Sequence, residues 1–329
     1  MKKNIAIVAG GDSSEIVVSL KSADGVYSFI DKKKYSVYIA IVKRDGWMVR
    51  LPGGEEAPID RNDFSFPEGG VVKRFDFAYI IIHGAPGENG LLQGYFDLIG
   101  MPYSSCGVLA SALTFNKFVC NNYLKSMGIR VADAIRLTAG EGITDEEIVA
   151  RLGLPVFVKP NDSGSSFGVT KAATPEALQP AIRKAFAEGT EVMIERYIAG
   201  TEVTCGCYRT KGKVVLFPLT EVVTHRDFFD FDAKYNGQSE EITPARISDE
   251  LTAEIQRRTA KVYDVLGAKG IIRVDYIIPE EGDPVLLEVN TTPGMTASSF
   301  IPQQIRAAGL KIEEVMSGII EEELQNVGK

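Results

Sequence analysis

The chain has 329 residues, of which 45% are hydrophobic and 24% are charged, and its formal net charge is −8. This length favours two or three packed units over a single core, and the composition is typical of a globular protein. The acidic balance argues against sequence-independent nucleic-acid binding, which needs a dense basic face, and no apolar run approaches the length of a membrane span. We therefore expect a cytoplasmic protein without nucleic-acid or membrane partners.

Residues 1–110 alternate strand and helix patterns, which predicts a parallel sheet covered by helices. The strands are expected near residues 4–9, 35–43 and 75–83. The first glycine turn, GGDSSE, departs from the G-x-G-x-x-G pattern, so a dinucleotide site there is disfavoured.

Residues 111–196 predict an α+β unit: one helix ended by Gly128, then a small antiparallel sheet with further helices. Residues 197–329 predict strands with a turn at Lys211-Gly212, a polar segment over 224–244, a helix, a strand hairpin and a helical tail. These three ranges are our predicted domains.

Four cysteines are too few for a disulfide framework in a chain of this length. Cys205 and Cys207 share a strand face, but the chain has only two histidines and no second cysteine pair. A structural zinc site is therefore disfavoured, and buried thiols are expected.

The hairpin in IIRVDYIIPEEGDPVLLEVN carries the first candidate site. With a turn centred between Glu281 and Gly282, alternation places Asp275 opposite Glu288 and Arg273 opposite Asn290. Facing carboxylates destabilise a sheet unless a positive group lies between them. Two carboxylates and an amide oxygen suit magnesium, and a solvated polar face is the alternative.

The segment VFVKPNDSGSSFGVTK places Lys159 before its glycines, whereas a P-loop lysine follows them. Such a loop can close over phosphates as a flap; a mobile linker is the alternative. Four further residues have plain structural interpretations on their own. Glu195 and Glu202 flank a strand junction, His83 ends a strand, and Glu15 suits a capping box with Asp12.

Taken in order, these features and six segments resemble one family. The segments are GGDSSEIVVSL, HGAPGENGLLQG, VKPNDSGSSFGV, DAKY, RVDY and EVNTTPGMTASS. Nearly end to end, the chain resembles the D-alanine–D-alanine ligases of the ATP-grasp superfamily. The resemblance implies an N-terminal Rossmann-like, substrate-binding α/β domain followed by a two-lobed ATP-grasp fold.

The resemblance also implies the reaction. ATP would phosphorylate one D-alanine, and the amine of a second D-alanine would attack the acyl phosphate, giving a dipeptide for peptidoglycan precursor synthesis. Two Mg²⁺ ions would assist, with Mn²⁺ expected to substitute, and the family is commonly a homodimer. Positioning and electrostatic stabilisation should dominate such chemistry.

The site residues implied by the resemblance fall into three groups. The nucleotide would be held by Lys117, Lys159, Ser166, Glu195, Ile198, Glu202 and Lys234, and the metal ions by Asp275, Glu288 and Asn290. Arg273 and the Gly294 N–H would stabilise the transition states. Glu15 would bind the first substrate's ammonium group with His83 nearby, and Ser299 the second substrate's carboxylate.

Specificity would depend most on Tyr235, in a hydrogen-bonded set with Glu15 and Ser165. A tyrosine there favours D-alanine over D-lactate as the second substrate. The sequence departs from the family pattern at Ser163, commonly glutamate, and at Asn89, commonly aspartate. The alternatives are a D-alanine–D-lactate ligase, a ligase for another pair of small amino acids, or an inactive nucleotide-binding regulator.

Overall fold

The computed structural model describes residues 2–13, 15–162, 168–224 and 239–326, and its fold combines α/β and α+β parts as predicted. The N-terminal sheet has, in spatial order, the strands β4 (Glu56–Pro58), β3 (Trp47–Arg50), β2 (Tyr35–Val42), β1 (Lys3–Gly10) and β7 (Phe77–Ile80). Strand β1 runs parallel to both β2 and β7, which confirms the predicted parallel strands.

The rest of this sheet was not predicted. Strands β3 and β4 are antiparallel additions, and β5 (Phe66–Glu68) pairs with β6 (Val71–Lys73) in a separate hairpin. All four strands are short, so they show little periodicity in the sequence. Helix α1 (Ile16–Phe29) lies between β1 and β2, and α2 (Leu91–Leu98) follows β7, as the predicted alternation of strands and helices requires.

The predicted capping box at the start of α1 is wrong. Glu15 is itself the N-cap residue of α1, and no side-chain cap hydrogen bond forms there. The Asp12 carboxylate instead accepts a hydrogen bond from the Arg44 N–H, at 2.9 Å. The Glu15 carboxylate is therefore not used by the helix end.

The single helix predicted after residue 111 is two helices, α3 (Val108–Phe115) and α4 (Lys117–Ser126). Asn116 between them has an extended backbone, and its side chain accepts a hydrogen bond from Val119 N at 3.0 Å. An N-cap asparagine satisfies a donor at the start of the second helix, so the apolar pattern continues across a break.

The small lobe has a four-stranded antiparallel sheet, as predicted. Its order is β10 (Thr170–Ala172), β9 (Val156–Pro160), β11 (Glu191–Arg196) and β8 (Ala134–Thr138). Helices α5 (Asp145–Leu152) and α6 (Leu178–Phe186) accompany it. Its own core includes Ile148, Val158, Leu178 and Ile194.

The large lobe has a six-stranded sheet ordered β15 (Ser239–Ile242), β14 (Thr220–Thr224), β12 (Thr201–Thr210), β16 (Ile271–Ile278) and β17 (Val285–Asn290), with β13 (Lys213–Leu216) paired to β12. The predicted turn at Lys211-Gly212 is confirmed, and both residues have positive φ. The remaining α-helices of the described ranges are α7 (Asp249–Val265), α8 (Phe300–Ala307) and α9 (Ile312–Gln325).

The N-terminal sheet and the C-terminal helices share one hydrophobic core, which contains Ile5 and Ile7 together with Ile305 and Met316. Helices α3 and α4 contribute to the core of the large sheet. The exact domain bounds remain a prediction. All four cysteines are buried thiols, as expected. Within the described ranges, no helix has the length and apolar character needed to cross a membrane.

Candidate active site

The hairpin β16–β17 pairs its polar residues as predicted. Asp275 lies opposite Glu288, and Arg273 lies opposite Asn290. The turn itself is one residue earlier than expected, because Gly282 N donates to Pro279 O at 2.8 Å. A register shift between Asp275 and Tyr276 offsets this difference.

The Asp275 carboxylate is held from three sides. Arg273 Nε donates to Oδ1 at 2.9 Å and its NH2 group donates to Oδ2 at 2.8 Å. Asn290 Nδ2 donates to Oδ2 at 3.0 Å. The Thr204 hydroxyl on the neighbouring strand β12 donates to Oδ1 at 2.6 Å. Arginine thus provides the positive group that facing carboxylates require. Thr204, which the sequence reasoning missed, orients the carboxylate.

The donor set fits a hard cation. Asp275, Glu288 and Asn290 offer carboxylate and amide oxygens on one face of the sheet, and Mg²⁺ commonly takes one or two carboxylates together with phosphate oxygens. Nowhere in the described ranges do three His, Cys, Asp or Glu side chains cluster as metal ligands. This set contains two carboxylates, and its third oxygen donor is the amide of Asn290.

Two lysines lie in the electrostatic neighbourhood of Glu288. Burial lowers the pKa of Lys117, at the start of α4; the Glu288 carboxylate opposes this shift and Lys159 adds to it. Lys159 Nζ lies 2.8 Å from Glu195 Oε2, and the two side chains are only 14% and 3% exposed. Burial lowers the pKa of Lys159, but Glu195 and then Glu288 raise it by more.

The Lys159–Glu195 pair follows from the sheet register. Lys159 on β9 lies opposite Met193 on β11, so Glu195 is its diagonal neighbour on the same face. Asn121 of α4 also donates to Glu195, at 3.5 Å. Ile198 is half-buried in the connection to β12, and Glu202 lies near the start of β12, where its charge helps raise the pKa of Arg273.

The N-terminal part contributes Glu15 and His83, both buried. A Cβ placed on Gly84 would lie 3.1 Å from Glu15 Oε2, so this carboxylate borders the turn after β7. Burial and the Arg273 charge hold the pKa of His83 at about 4, so its ring is neutral near pH 7. Sequence reasoning missed Glu88, which the same turn brings beside Glu15.

The Glu88 carboxylate accepts a hydrogen bond from Gly84 N at 2.7 Å. Burial, together with the Glu15 charge, raises the pKa of Glu88 to about 8. A perturbed carboxylate next to a second one in a turn is typical of functional sites. Glu88 is the only acidic residue in the segment HGAPGENG. Its isolated position in this glycine-rich turn is the signal that could have identified it.

Gly294 and Ser299 lie together after β17. A Cβ on Gly294 would lie 3.1 Å from Ser299 Oγ, and that oxygen accepts a hydrogen bond from Thr296 N at 3.0 Å. Ser299 is the N-cap residue of α8, although its side chain makes no cap hydrogen bond. A helix N-terminus favours anionic groups, which suits the predicted carboxylate contact.

Five residues of the sequence-based hypothesis lie outside the described residues: Ser163, Ser165, Ser166, Lys234 and Tyr235. The structure brings many of the other predicted residues into three adjoining groups. These are the β16–β17 hairpin, the Lys117–Lys159 region that shares Glu288 with it, and the turn containing His83, whose ring lies within the influence of Arg273.

Comparisons with known proteins agree on one family. Residues 4–106 match the family described as D-ala D-ala ligase N-terminus, and residues 123–321 match D-ala D-ala ligase C-terminus. A D-alanine–D-alanine ligase of Parabacteroides distasonis is 73% identical over 326 residues, covering 99% of each chain.

Two solved structures show the same architecture. The VanG D-Ala:D-Ser ligase from Enterococcus faecalis has a TM-score of 0.86 at 31% identity, covering 98% of this chain and 100% of the other. The D-alanine–D-alanine ligase from Bacillus anthracis complexed with ATP has a TM-score of 0.79 at 29% identity, covering 98% of each. The chain belongs to the D-alanine–D-alanine ligase family and has its ATP-grasp fold.

Proposed function

We propose that this chain uses ATP to join two D-alanine molecules into D-alanyl-D-alanine for peptidoglycan precursor synthesis. The observation that carries the proposal is that oxygen ligands and two lysines lie around one carboxylate, that of Glu288. The carboxylate–amide face of the hairpin, Lys117 and Lys159 all lie within its electrostatic reach. This combines a site for a cation with positive groups for phosphates.

The first step is phosphoryl transfer. A carboxylate oxygen of the first D-alanine attacks the γ-phosphorus of ATP, the bond to the β–γ bridging oxygen breaks, and ADP leaves. Lys117 and Lys159 contact phosphate oxygens, and Arg273 stabilises the charge on the transferring group. Asp275, Glu288 and Asn290 would hold Mg²⁺, or Mn²⁺ in its place, which neutralises phosphate charge when bound. We propose two such metal ions, as the resemblance to the family implies.

The second step forms the peptide bond. The amine of the second D-alanine attacks the acyl carbon, the bond to the phosphate oxygen breaks, and the proton lost by the amine passes to the departing phosphate. The Gly294 N–H donates to the oxyanion that develops, and Ser299 binds the carboxylate of the incoming amino acid. Glu15 holds the first ammonium group, with His83 beside it as a neutral ring. Preorganised donors of this kind lower the barrier because they need no reorganisation during the reaction.

The nucleotide pocket would lie at the junction of β11 and β12. Glu195 and the backbone near Ile198 would contact adenine, and Glu202 would contact the ribose. Lys159 already pairs with Glu195, so the adenine and phosphate ends of the site are linked through one ion pair. Ser166 and Lys234 would complete the nucleotide contacts, and Ser165 and Tyr235 would complete the substrate set.

We also propose that the protein forms a homodimer and is located in the cytoplasm. A homodimer and a cytoplasmic location are expected from the family. Exposed leucines support an interface: Leu91 and Leu98 lie two turns apart on α2, and Leu109 lies on the adjacent α3. Clustered exposed apolar side chains often mark protein contacts.

A different acceptor is the second candidate, because one structural relative is named a D-Ala:D-Ser ligase. Phosphate release should be measured with ATP, Mg²⁺ and D-alanine, then with L-alanine, and with D-alanine plus D-serine or D-lactate, and products identified by mass. Release with D-alanine alone and the dipeptide mass would support the proposal. A mixed product formed in preference would favour the second candidate. No release under any condition would refute both and leave a nucleotide-binding regulator.

A further inference from the structure

Helix α1 approaches the loop after β17 unusually closely. A Cβ on Gly25 would lie 2.1 Å from the carbonyl oxygen of Met295, so only glycine permits this contact. Ser22 is one turn earlier on the same helix and faces the same loop. Its side chain is fully buried. The N-terminal part of the chain thus contacts the segment containing Gly294 directly.

The Ser22 hydroxyl has two neighbours, one in the turn after β7 and one in the loop after β17. Its Oγ lies 3.3 Å from His83 Nε2, and the Met295 N–H donates to it at 3.5 Å. Both distances are long, and catalytic hydrogen bonds commonly shorten when substrate binds. One hydroxyl therefore bridges the histidine of the turn after β7 and the loop that follows β17.

The direction of these hydrogen bonds follows from the donor inventory. A main-chain N–H can only donate, so Ser22 Oγ is its acceptor. The oxygen keeps a second lone pair, so this contact alone does not direct the hydroxyl proton. Among the described residues that proton has no acceptor other than His83 Nε2, and donation to this nitrogen requires it to be unprotonated. Because the buried ring is neutral near pH 7, its proton is on Nδ1.

We propose that Ser22 is a positioning residue that holds His83 in the Nδ1–H tautomer and ties it to the loop of the Gly294 N–H. The proposal rests on the proposed ligase function for its catalytic meaning. One ring N–H is then available as a donor beside the first substrate. The same hydroxyl sets the position of this ring N–H relative to the Gly294 N–H, although the two donors come from distant parts of the chain.

The tautomer can be measured without turnover. Long-range ¹H–¹⁵N NMR spectra distinguish the two ring protonation states, and the chain has only two histidines. The variant His83→Gln assigns the signals by their loss. We expect the wild-type His83 ring to carry its proton on Nδ1. We expect Ser22→Ala to lose this preference, and Ser22→Thr, which keeps the hydroxyl, to restore it.

Ser19→Ala is the matched control. Ser19 is equally buried on α1, but its hydroxyl bonds to Gly10 N at 3.0 Å and to Ile81 O at 2.9 Å. Its loss should lower stability and leave the His83 tautomer unchanged. This separates the loss of a buried hydroxyl from the loss of its contact with the ring.

Steady-state kinetics give the second readout. A hydrogen bond contributes about 0.5–1.5 kcal/mol, so Ser22→Ala should lower kcat/KM for the first D-alanine roughly 2- to 12-fold, while KM for ATP is unchanged. A wild-type ring protonated on Nε2 would overturn the proposal even if Ser22→Ala fails to fold. So would a folded Ser22→Ala variant with the wild-type tautomer. Neither result depends on whether the protein is a ligase.

Discussion

Glu195→Gln tests the Lys159–Glu195 ion pair, which connects the two ends of the proposed nucleotide pocket. Glutamine keeps the shape of the side chain and removes its charge, so the nearly buried Lys159 ammonium loses its partner at 2.8 Å. Removing one member of a buried pair costs about 3–5 kcal/mol. Glu288 still attracts the ammonium, so we expect the lower end, about 3 kcal/mol in the free energy of unfolding.

The pH dependence has a definite sign. In the wild type, burial lowers the Lys159 pKa, but Glu195 and Glu288 raise it by more, so the net shift is upward. The pair therefore stabilises the fold below the unfolded lysine pKa of about 10.4, and this contribution is lost as the pH rises through the folded value. In Glu195→Gln, burial prevails and the pKa falls. The deficit should be largest near pH 7 and shrink above about pH 10.

Urea unfolding followed by circular dichroism at pH 7 and above pH 10 measures this deficit. Hydrogen exchange of the β9 and β11 amides locates it in the small lobe. The fluorescence of Trp47, the only tryptophan, reports the N-terminal sheet and should change little. Adding Lys159→Met removes the unpaired charge and should recover most of the stability. Wild-type stability of Glu195→Gln at pH 7, or no recovery in the double variant, would refute this reasoning.

Three further predictions concern the carboxylates. Glu288→Gln should nearly abolish turnover at ordinary magnesium levels with an unchanged circular dichroism spectrum; normal activity would exclude the metal assignment. Thr204→Val removes the hydroxyl that orients Asp275 and should raise the magnesium concentration for half-maximal activity roughly 10- to 100-fold; an unchanged magnesium titration would argue against that role. The raised pKa of Glu88, about 8, stabilises the fold below its unfolded value of about 4.3, and this stability is lost as the pH rises through 8. Glu88→Gln should therefore unfold with less dependence on pH between 6 and 9, and an unchanged slope in thermal melts would contradict it.

Long, regular elements could be predicted from the sequence, because hydrophobic periodicity and glycine turns are local signals. Strands β1, β2 and β16 and helix α1 are of this kind. The break at Asn116 was missed because the apolar pattern continues through it, and only a side-chain cap marks the second helix. Position alone suggested a capping role for Glu15, and the actual start of α1 excludes it.

Contacts between distant parts of the chain left no sequence pattern. The hydrogen bond from Thr204 to Asp275 depends on which strand lies beside β16, and the Ser22 bridge depends on the packing of α1 against a loop near the C-terminus. Single hydroxyls of this kind have no periodicity or motif of their own. The residues proposed to contact substrates therefore carry sequence motifs, whereas the residues that position them do not.

The predicted pairing of Asp275 with Glu288 is correct, although the turn lies one residue earlier than the prediction assumed. The turn is at Pro279–Gly282, and next to it Ile277 pairs with Val285 and Tyr276 with Leu286. If that register continued, Asp275 would face Leu287, and a one-residue slip moves every side chain to the other face of the sheet.

At the bulge the register shifts between Asp275 and Tyr276, Leu287 of β17 is the extra residue without a partner in the register, and Asp275 faces Glu288 instead. Bulges commonly lie next to active sites, where they redirect side chains. Here the bulge places both carboxylates on one face of the sheet. The facing carboxylates thus depend on a local irregularity of the backbone, and a regular hairpin of the same sequence and turn would separate the two charges.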